Sequence, residues 1–334
     1  MATVVLSGAS GERAPLLHLL DLLSQALRER GERDLRVFEL ATTPLAYCQG
    51  EFDCWVKTPG LCRARDAEQD IVRAIHDAER LVCLDEATFG GYSYTLKRAI
   101  DRMICLISPF FEKRMSLTHH EARYGQAASL HAVGWQPAPV PGVNQTWCDL
   151  ADANALNLLA PRVGAGVLDD TNRSGWARAL ADILDSEQVP GQTIAGRPSL
   201  RETMLSAAAG VGGMGAAVPR TAALLVGSPK VRGTSLSENL AAATRARLER
   251  SGLTVQTWFA VDFLRDPKAR AAAAEIADAD LLVLLSPLYV DALPALATRA
   301  LACVADARRG RPTAGRCATV TTTTATSATA RTWC

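Results

Sequence analysis

Short apolar runs alternate with stretches whose apolar residues recur at helical spacing, and this alternation organises most of the chain. "TVVLSGA" (Thr3 to Ala9) has the continuous apolar character of a buried strand followed by a turn. Leu16, Leu17, Leu19, Leu20, Leu23 and Leu27 then follow helical spacing. "LRVFEL" (Leu35 to Leu40) is the next strand. Asp66 to Glu79 is a helix with Asp66 as N-cap and Gln69 three residues on, a capping-box pattern. "RLVCLDEA" (Arg80 to Ala87) is a third strand, and Tyr92 to Ile107 a third helix running into "SPFFEKR". "AASLHAVGW" and "RVGAGVL" supply two more strands, and Ser174 to Gln188 a closing helix. Strands separated by helices predict an α/β fold, a doubly wound parallel sheet covered on both faces.

After residue 190 the pattern breaks. Residues 191–219, with "AAAGVGGMGAAVPR", are small and glycine-rich and predict a linker. Over 220–306 the strand–helix pattern restarts with "TAALLVGSPK", a helix from Ser235 to Gly252, "LTVQTWFAV", a second helix, and "DLLVLLSPLYVDALPALATRALACV". This second unit repeats the front half of the first and stops short of its later strands. Residues 307–334 are low in complexity and rich in threonine, which predicts disorder, with "ATVTTTTA" as a candidate edge strand.

A length of 334 residues exceeds the roughly 250–300 at which single cores divide, in keeping with two units. A net charge of +1 argues against nucleic acid or a membrane surface as partner. The start "MATVVLSGAS" lacks a basic region and an apolar core, so no signal peptide and a cytoplasmic location are expected. Nine scattered cysteines do not predict a disulfide framework.

In open parallel sheets, ligands sit beyond the carboxyl ends of the strands. The loop after the first strand of the first unit is "SGASGERAP", where Ser7, Ser10 and Arg13 are candidate phosphate ligands. The loop after its third strand holds Ala87, Thr88, Phe89, Gly90, Gly91 and Tyr92, an aromatic-rich turn whose glycines admit a flat ring. The second unit offers Ser228, Lys230, Thr234, Ser235 and Ser237 ahead of a helix N-terminus, a richer anion site, and Pro287 and Tyr289 after its third strand. Plain turns and hydroxyl-capped helix starts account for the same residues without a ligand.

Taken together, "CQGEFDCWVKTPGLC", "TFGGYSYTLKRAIDRMICLISPFFE" and "THHEARYG" resemble the flavodoxin-like NAD(P)H-dependent FMN reductases, including their iron–sulfur flavoprotein branch. The resemblance covers residues 1–190, and 220–306 more loosely. It implies strand order 2-1-3-4-5, FMN phosphate in the loop after the first strand and the ring against the loop after the third. It further implies hydride transfer from NAD(P)H to a quinone or similar small-molecule acceptor, and a homo-oligomer. A flavin-binding electron carrier or a degenerate scaffold is the alternative. The resemblance implies four closely spaced cysteines in iron–sulfur members where this chain has Cys48, Cys54 and Cys62, with Glu51 where the second cysteine is expected. Three thiols with no adjacent histidine make a poor cluster or zinc cage, so a cluster-free loop at the flavin pocket is expected. His119, His120, Arg123 and Tyr124 are either flavin-edge or nicotinamide-facing groups or a solvated rim, and Lys97–Asp101 is an i,i+4 ion pair.

Overall fold

The computed structural model describes residues 2–10, 13–114, 117–191, 219–264, 266–309, 318–323 and 328–333. It divides into two compact units, Met1–Ala195 with Val290–Ala292, and Gly196–Tyr289 with Leu293–Cys334. Most of the predicted linker lies outside the described residues.

The first unit is a three-layer α/β sandwich. Its strands are β1 (Ala2–Ser7), β2 (Asp34–Glu39), β3 (Arg80–Glu86), β6 (Ser129–Gln136) and β7 (Val163–Asp169), with the hairpin strands β4 (Ile107–Arg114) and β5 (Leu117–Ala122) between the third and the sixth. The five main strands form one parallel sheet in the order β2-β1-β3-β6-β7. Counting only strands of that sheet, this is the 2-1-3-4-5 order of flavodoxin-like folds. The helices are α1 (Ala14–Glu29), α2 (Asp53–Val56), α3 (Glu68–Asp77), α4 (Tyr94–Ile100), α5 (Val143–Asn157) and α6 (Trp176–Leu184).

The alternation of side chains along the central strands explains the layers. Val4 and Leu6 of β1, with Leu81 and Cys83 of β3, face a core completed by Ile71 and Ile75 of α3, Leu96 of α4 and Trp147 of α5. Val5, Val82 and Leu84 face the opposite core, filled by Leu16, Leu19, Leu23 and Leu27 of α1 and Trp176 and Leu180 of α6. A period of two with both faces apolar is what a doubly covered sheet demands.

Three local expectations need correction. "SPFFEKR" is not helical: α4 ends at Ile100, a 3₁₀ turn spans Met103–Leu106, and Ile107–Arg114 pairs antiparallel with Leu117–Ala122. Phe110, Phe111 and the β-branched residues around them suit a strand pair better than a fourth helical turn. Asp66 does not cap α3 as N-cap. It lies two residues before the helix and accepts from the amides of Glu68 (3.1 Å) and Ala46 (2.8 Å). Within 307–334, predicted to be disordered, Ala318–Thr323 and Ala328–Trp333 pair as an antiparallel ladder, β11 and β12, as the β-branched threonines favour.

The second unit holds the parallel three-stranded sheet β10-β8-β9, formed by β8 (Thr221–Val226), β9 (Thr254–Phe259) and β10 (Leu281–Leu285). Its helices are α7 (Leu236–Arg250), α8 (Asp266–Asp278) and α9 (Ala295–Arg309). The order reproduces β3-β1-β2 of the first unit. Among the described residues, no helix is long and apolar enough to cross a membrane.

Candidate functional site

At the carboxyl edge of the first sheet, the turns after β1 and β3 meet. Gly8 donates its amide to the Leu84 carbonyl at 2.8 Å. A Cβ on Gly8 would stand 2.1 Å from Asp85 Oδ1, so only glycine fits beneath that carboxyl. Asp85 is buried, and its oxygens accept from the Ser93 amide (2.7 Å) and hydroxyl (2.9 Å). Burial pushes its carboxyl up to about 7, against those two bonds. Ser93 caps α4 by accepting from the Thr95 amide. Asp85 therefore ties the end of β3 to the start of α4, across the turn between them. The strand-like run around Asp85 hid this role in the sequence.

That turn, Thr88 to Gly91, is closed by reciprocal bonds, Thr88 N to Gly91 O (2.8 Å) and Gly91 N to Thr88 O (3.0 Å). Its central residues, Phe89 and Gly90, have φ of 53° and 79°, the type I′ pattern. The Ala87 amide is taken by Trp135 O at 2.8 Å. Among the described residues, the amides of Phe89 and Gly90 have no backbone acceptor. The Phe89 side chain is exposed.

Gly90 and Gly91 serve a different purpose from the one the sequence suggests. A Cβ on Gly90 would meet Thr146 Cγ2 at 2.8 Å, and one on Gly91 would meet Leu150 Cδ2 at 3.2 Å. Both glycines seat the turn on α5. Tyr92 is likewise turned away from the cleft: it is buried edge-on against Trp147, centroids 5.2 Å apart, because the core below the turn takes the large ring.

In the turn after β1, Ser7 is fully buried and its Oγ accepts from the Ala9 amide. Ser7 therefore serves the strand end, while Ser10 is half-buried and its carbonyl accepts from Arg13 N at 2.9 Å. Arg13 precedes α1, which has no side-chain cap, and its Nε pairs with Glu86 at 3.0 Å. The guanidinium is about half exposed and is held at the lip of the cleft by that carboxylate.

In the second unit the counterpart cleft is closed by the chain itself. Ser235 caps α7 in a full capping box with Glu238. Glu238 Oε2 accepts from the amides of Gly233 (2.7 Å) and Ser235 (3.4 Å) and from the Ser235 hydroxyl (3.3 Å). The donors expected to hold a phosphate thus hold a carboxylate, and a second anion there meets its charge. The S-x-x-E spacing at Ser235–Glu238 carried this signal in the sequence. Thr234 donates its hydroxyl to Val231 O (2.6 Å), Ser228 Oγ accepts from the Lys230 amide (3.3 Å), and Ser237 is buried within α7. Lys230 is exposed. Pro287 O accepts from the Ser286 hydroxyl, and Tyr289 is half-buried.

The cysteine loop lies outside this cleft. Cys54, Cys62 and Cys105 gather with Val72, Ile104 and Leu106 in a small apolar cluster. Cys105 was not among the residues the sequence pointed to; 3₁₀ backbone at Met103–Leu106 brings it there. Among the described residues, no group of three or more His, Cys, Asp or Glu side chains is arranged to hold a metal ion. Trp55 Nε1 donates to Ile107 O at 2.9 Å, and Arg123 reaches Ile107 O and Trp55 O at 3.0 and 2.9 Å, so the loop is fastened to the β4–β5 hairpin. His119 bonds Asn157, His120 packs on Trp55 and Phe111, and Tyr124 packs on His76. The partners of these groups lie on α5, the cysteine loop, the hairpin and α3. Lys97–Asp101 is a buried ion pair, as the spacing predicts.

No protein-family model matches the chain, and no curated protein matches it. Solved structures do align with it. An azoreductase from Bacillus anthracis str. Sterne covers 55% of this chain and 96% of its own, at 9% identity and a TM-score of 0.38. Smu.1420 from Streptococcus mutans UA159 covers 55% and 98%, at 13% identity and a TM-score of 0.40. The azoreductase AzrA covers 55% and 96%, at 11% identity and a TM-score of 0.36. The fold assignment itself, a flavodoxin-like α/β unit followed by a second, shorter parallel sheet, rests on the strand order.

Proposed function

We propose that the first unit binds FMN at the carboxyl edge of its sheet and passes hydride from NAD(P)H to a quinone or a similar small acceptor. The observation that carries this reading is the type I′ turn at Phe89–Gly90, which offers two amides without backbone acceptors beside an exposed aromatic. A planar heterocycle with polar edge atoms suits that combination. Ser10 and Arg13 stand at the adjoining turn and can take a phosphate once Arg13 leaves Glu86. The bound flavin would supply the hydride chemistry. The chain's part is to hold the turn rigid through Asp85 and Ser93, to orient the ring against Phe89, and to hold the phosphate at Arg13.

A second reading, an electron carrier or a degenerate scaffold, draws on two observations. Glu86 already neutralises Arg13, and Glu238 fills the N-terminus of α7.

Reconstitution of the full chain with FMN, followed by a visible spectrum and flavin-to-protein balance, tests both readings. One FMN per chain, bleached by anaerobic NADPH or NADH and restored by a quinone, is expected. Retained flavin that neither nucleotide bleaches supports the carrier; no uptake at micromolar FMN overturns the flavin site. Glu86→Gln is expected to tighten FMN binding by about three- to tenfold, the scale of one exposed ion pair released.

A further inference from the structure

The loop that carries Cys54 and Cys62 is folded back on itself. Gly60 donates its amide to the Cys54 carbonyl at 2.9 Å, and Thr58 Oγ1 donates to Leu61 O at 2.9 Å. That closure places both cysteine side chains in the small apolar cluster with Val72 and Cys105. Cys54 is buried and Cys62 partly accessible, so an oxidant can reach Cys62 before Cys54.

Beside the pair lies a buried cation. Arg102 is 2% exposed, and its Nη1 donates to Asp66 Oδ2 (2.6 Å) and Ala46 O (3.1 Å). Its Nε and Nη2 have no hydrogen-bond partner, and Nη2 stands 3.7 Å from Glu68 Oε2. Burial raises the Glu68 carboxyl to about 7, so it is a weak counterion near neutrality. A buried guanidinium whose donors are unfilled among the described residues favours an anion nearby, and it acts on the Cys62 sulfur in that sense.

The surroundings sort the thiols. The hydrogen bond from Cys54 holds Cys62 below the ordinary thiol range, helped by the Ala64 amide and Arg102 and opposed by partial burial. Cys54 moves the other way, through that same bond and through burial. Burial pushes Cys48 and Cys105 each up to about 12, with Asp101 adding to the first and Glu68 to the second.

We propose that Cys54 and Cys62 are a redox-active pair, in which Cys62, beside the Arg102 guanidinium, attacks a low-molecular-weight disulfide and Cys54 closes the intramolecular bond. The Cys62 thiolate attacks one sulfur of the oxidant; its S–S bond breaks, and one half leaves as thiolate. Cys54 gives up its proton to that thiolate and attacks the Cys62 sulfur. The mixed disulfide breaks and the second half leaves. Two electrons pass from the cysteine pair to the oxidant, which is reduced to a thiol and a thiolate. Exposed Lys57 and Arg63 flank the loop and share one carboxylate, Asp53, which leaves one net positive charge beside the pair for an anionic oxidant such as oxidised glutathione.

The test uses the full chain, titrated with oxidised glutathione, quenched in acid, alkylated and digested with trypsin. Cleavage after Lys57 and Arg63 separates Cys54 from Cys62, and a second digestion with a glutamate-specific protease cuts after Glu51 and separates Cys48 from Cys54, so the Cys54–Cys62 bond appears as two linked peptides free of Cys48. The expected product is that linked pair, reversible by dithiothreitol. Cys54→Ser is expected to stop at a glutathione adduct on Cys62, and Cys62→Ser to form neither species. In the unsubstituted protein at pH 7, iodoacetamide is expected to label Cys62 at least about tenfold faster than Cys48. This measurement stands even where a variant fails to fold. Labelling of Cys62 no faster than Cys48, or a bond from either cysteine to Cys48 or Cys105 in place of the linked pair, overturns the proposal.

Discussion

The two parallel sheets solve the same problem at their carboxyl edges, with different chemistry. In each, a glycine follows the first strand and donates to the last residues of the third, Gly8 to Leu84 O and Gly227 to Leu285 O, both at 2.8 Å. In each, that glycine is pressed against the residue after the one whose carbonyl it bonds, Asp85 near the end of β3 or Ser286 just past β10. In each, a turn with two consecutive positive φ values follows, at Phe89–Gly90 and at Val290–Asp291. The difference is in the charges. The first edge buries a carboxyl under its turn and leaves its helix start uncapped beside Arg13; the second buries a neutral hydroxyl and fills its helix start with Glu238. A shared backbone scaffold thus carries an Arg13–Glu86 ion pair at one helix start and the Glu238 carboxylate at the other.

The glycine contact is the sharpest place to break this parallel. Gly8→Ala puts a methyl 2.1 Å from a carboxyl oxygen held by two hydrogen bonds, and about 3 kcal/mol of destabilisation is expected in urea unfolding. Gly227→Ala meets the Ser286 hydroxyl, held by one hydrogen bond to Pro287 O, at 2.6 Å and the Ser286 Cβ at 2.8 Å, and about 2 kcal/mol is expected. Equal costs would show that the carboxyl does not set the difference.

Next in size is the pH dependence that only the first edge should carry. The Asp85 carboxyl rises from its ordinary 3.8 to about 7 on folding. The folded state therefore binds this proton more tightly than the unfolded chain. The resulting stability is full below about pH 4 and is lost as pH rises to about 7. Asp85→Asn should remove that slope, leaving the variant on the order of 2 kcal/mol more stable than the parent at pH 8 relative to pH 4. Ser286→Ala should leave the slope unchanged. Denaturant melts at pH 4, 6 and 8 compare the three proteins.

Glu238→Ala removes the capping box at a cost of about 1 kcal/mol. It should also open the second edge: millimolar phosphate is expected to raise the melting temperature of the variant and leave the parent unmoved. The smallest effect concerns the turns. Val290 is β-branched at φ 42°, a strained conformation that glycine relieves, so Val290→Gly should raise stability by a few tenths of a kcal/mol despite the added chain entropy.

The strands of both parallel sheets were legible because burial on both faces of a sheet writes continuous apolar runs. Helix α5 was not. Its buried face includes Asp152 and Asn154 beside Trp147, Ala151 and Ala155, so polar and apolar positions blur along it. The turns were found by their glycines and aromatics, yet the meaning of those residues depended on that unseen helix: without α5, Gly90 and Gly91 look like room for a ligand. Tyr92 was misplaced for the same reason, since Trp147, its packing partner, lies on α5. The hairpin at "SPFFEKR" was hidden by a helical pattern running up to it. The plug at Glu238 was missed, although the Ser235–Glu238 spacing alone defines a capping box.

The seating of Gly90 and Gly91 on Thr146 and Leu150 has a consequence for how this edge can be adjusted. The height of the turn above the sheet is set from behind, by the bulk of two helix side chains. Trimming Leu150 or enlarging Thr146 would lower or lift Phe89 while every residue facing the cleft stayed the same, so selectivity for what rests there can be tuned by positions that never touch it.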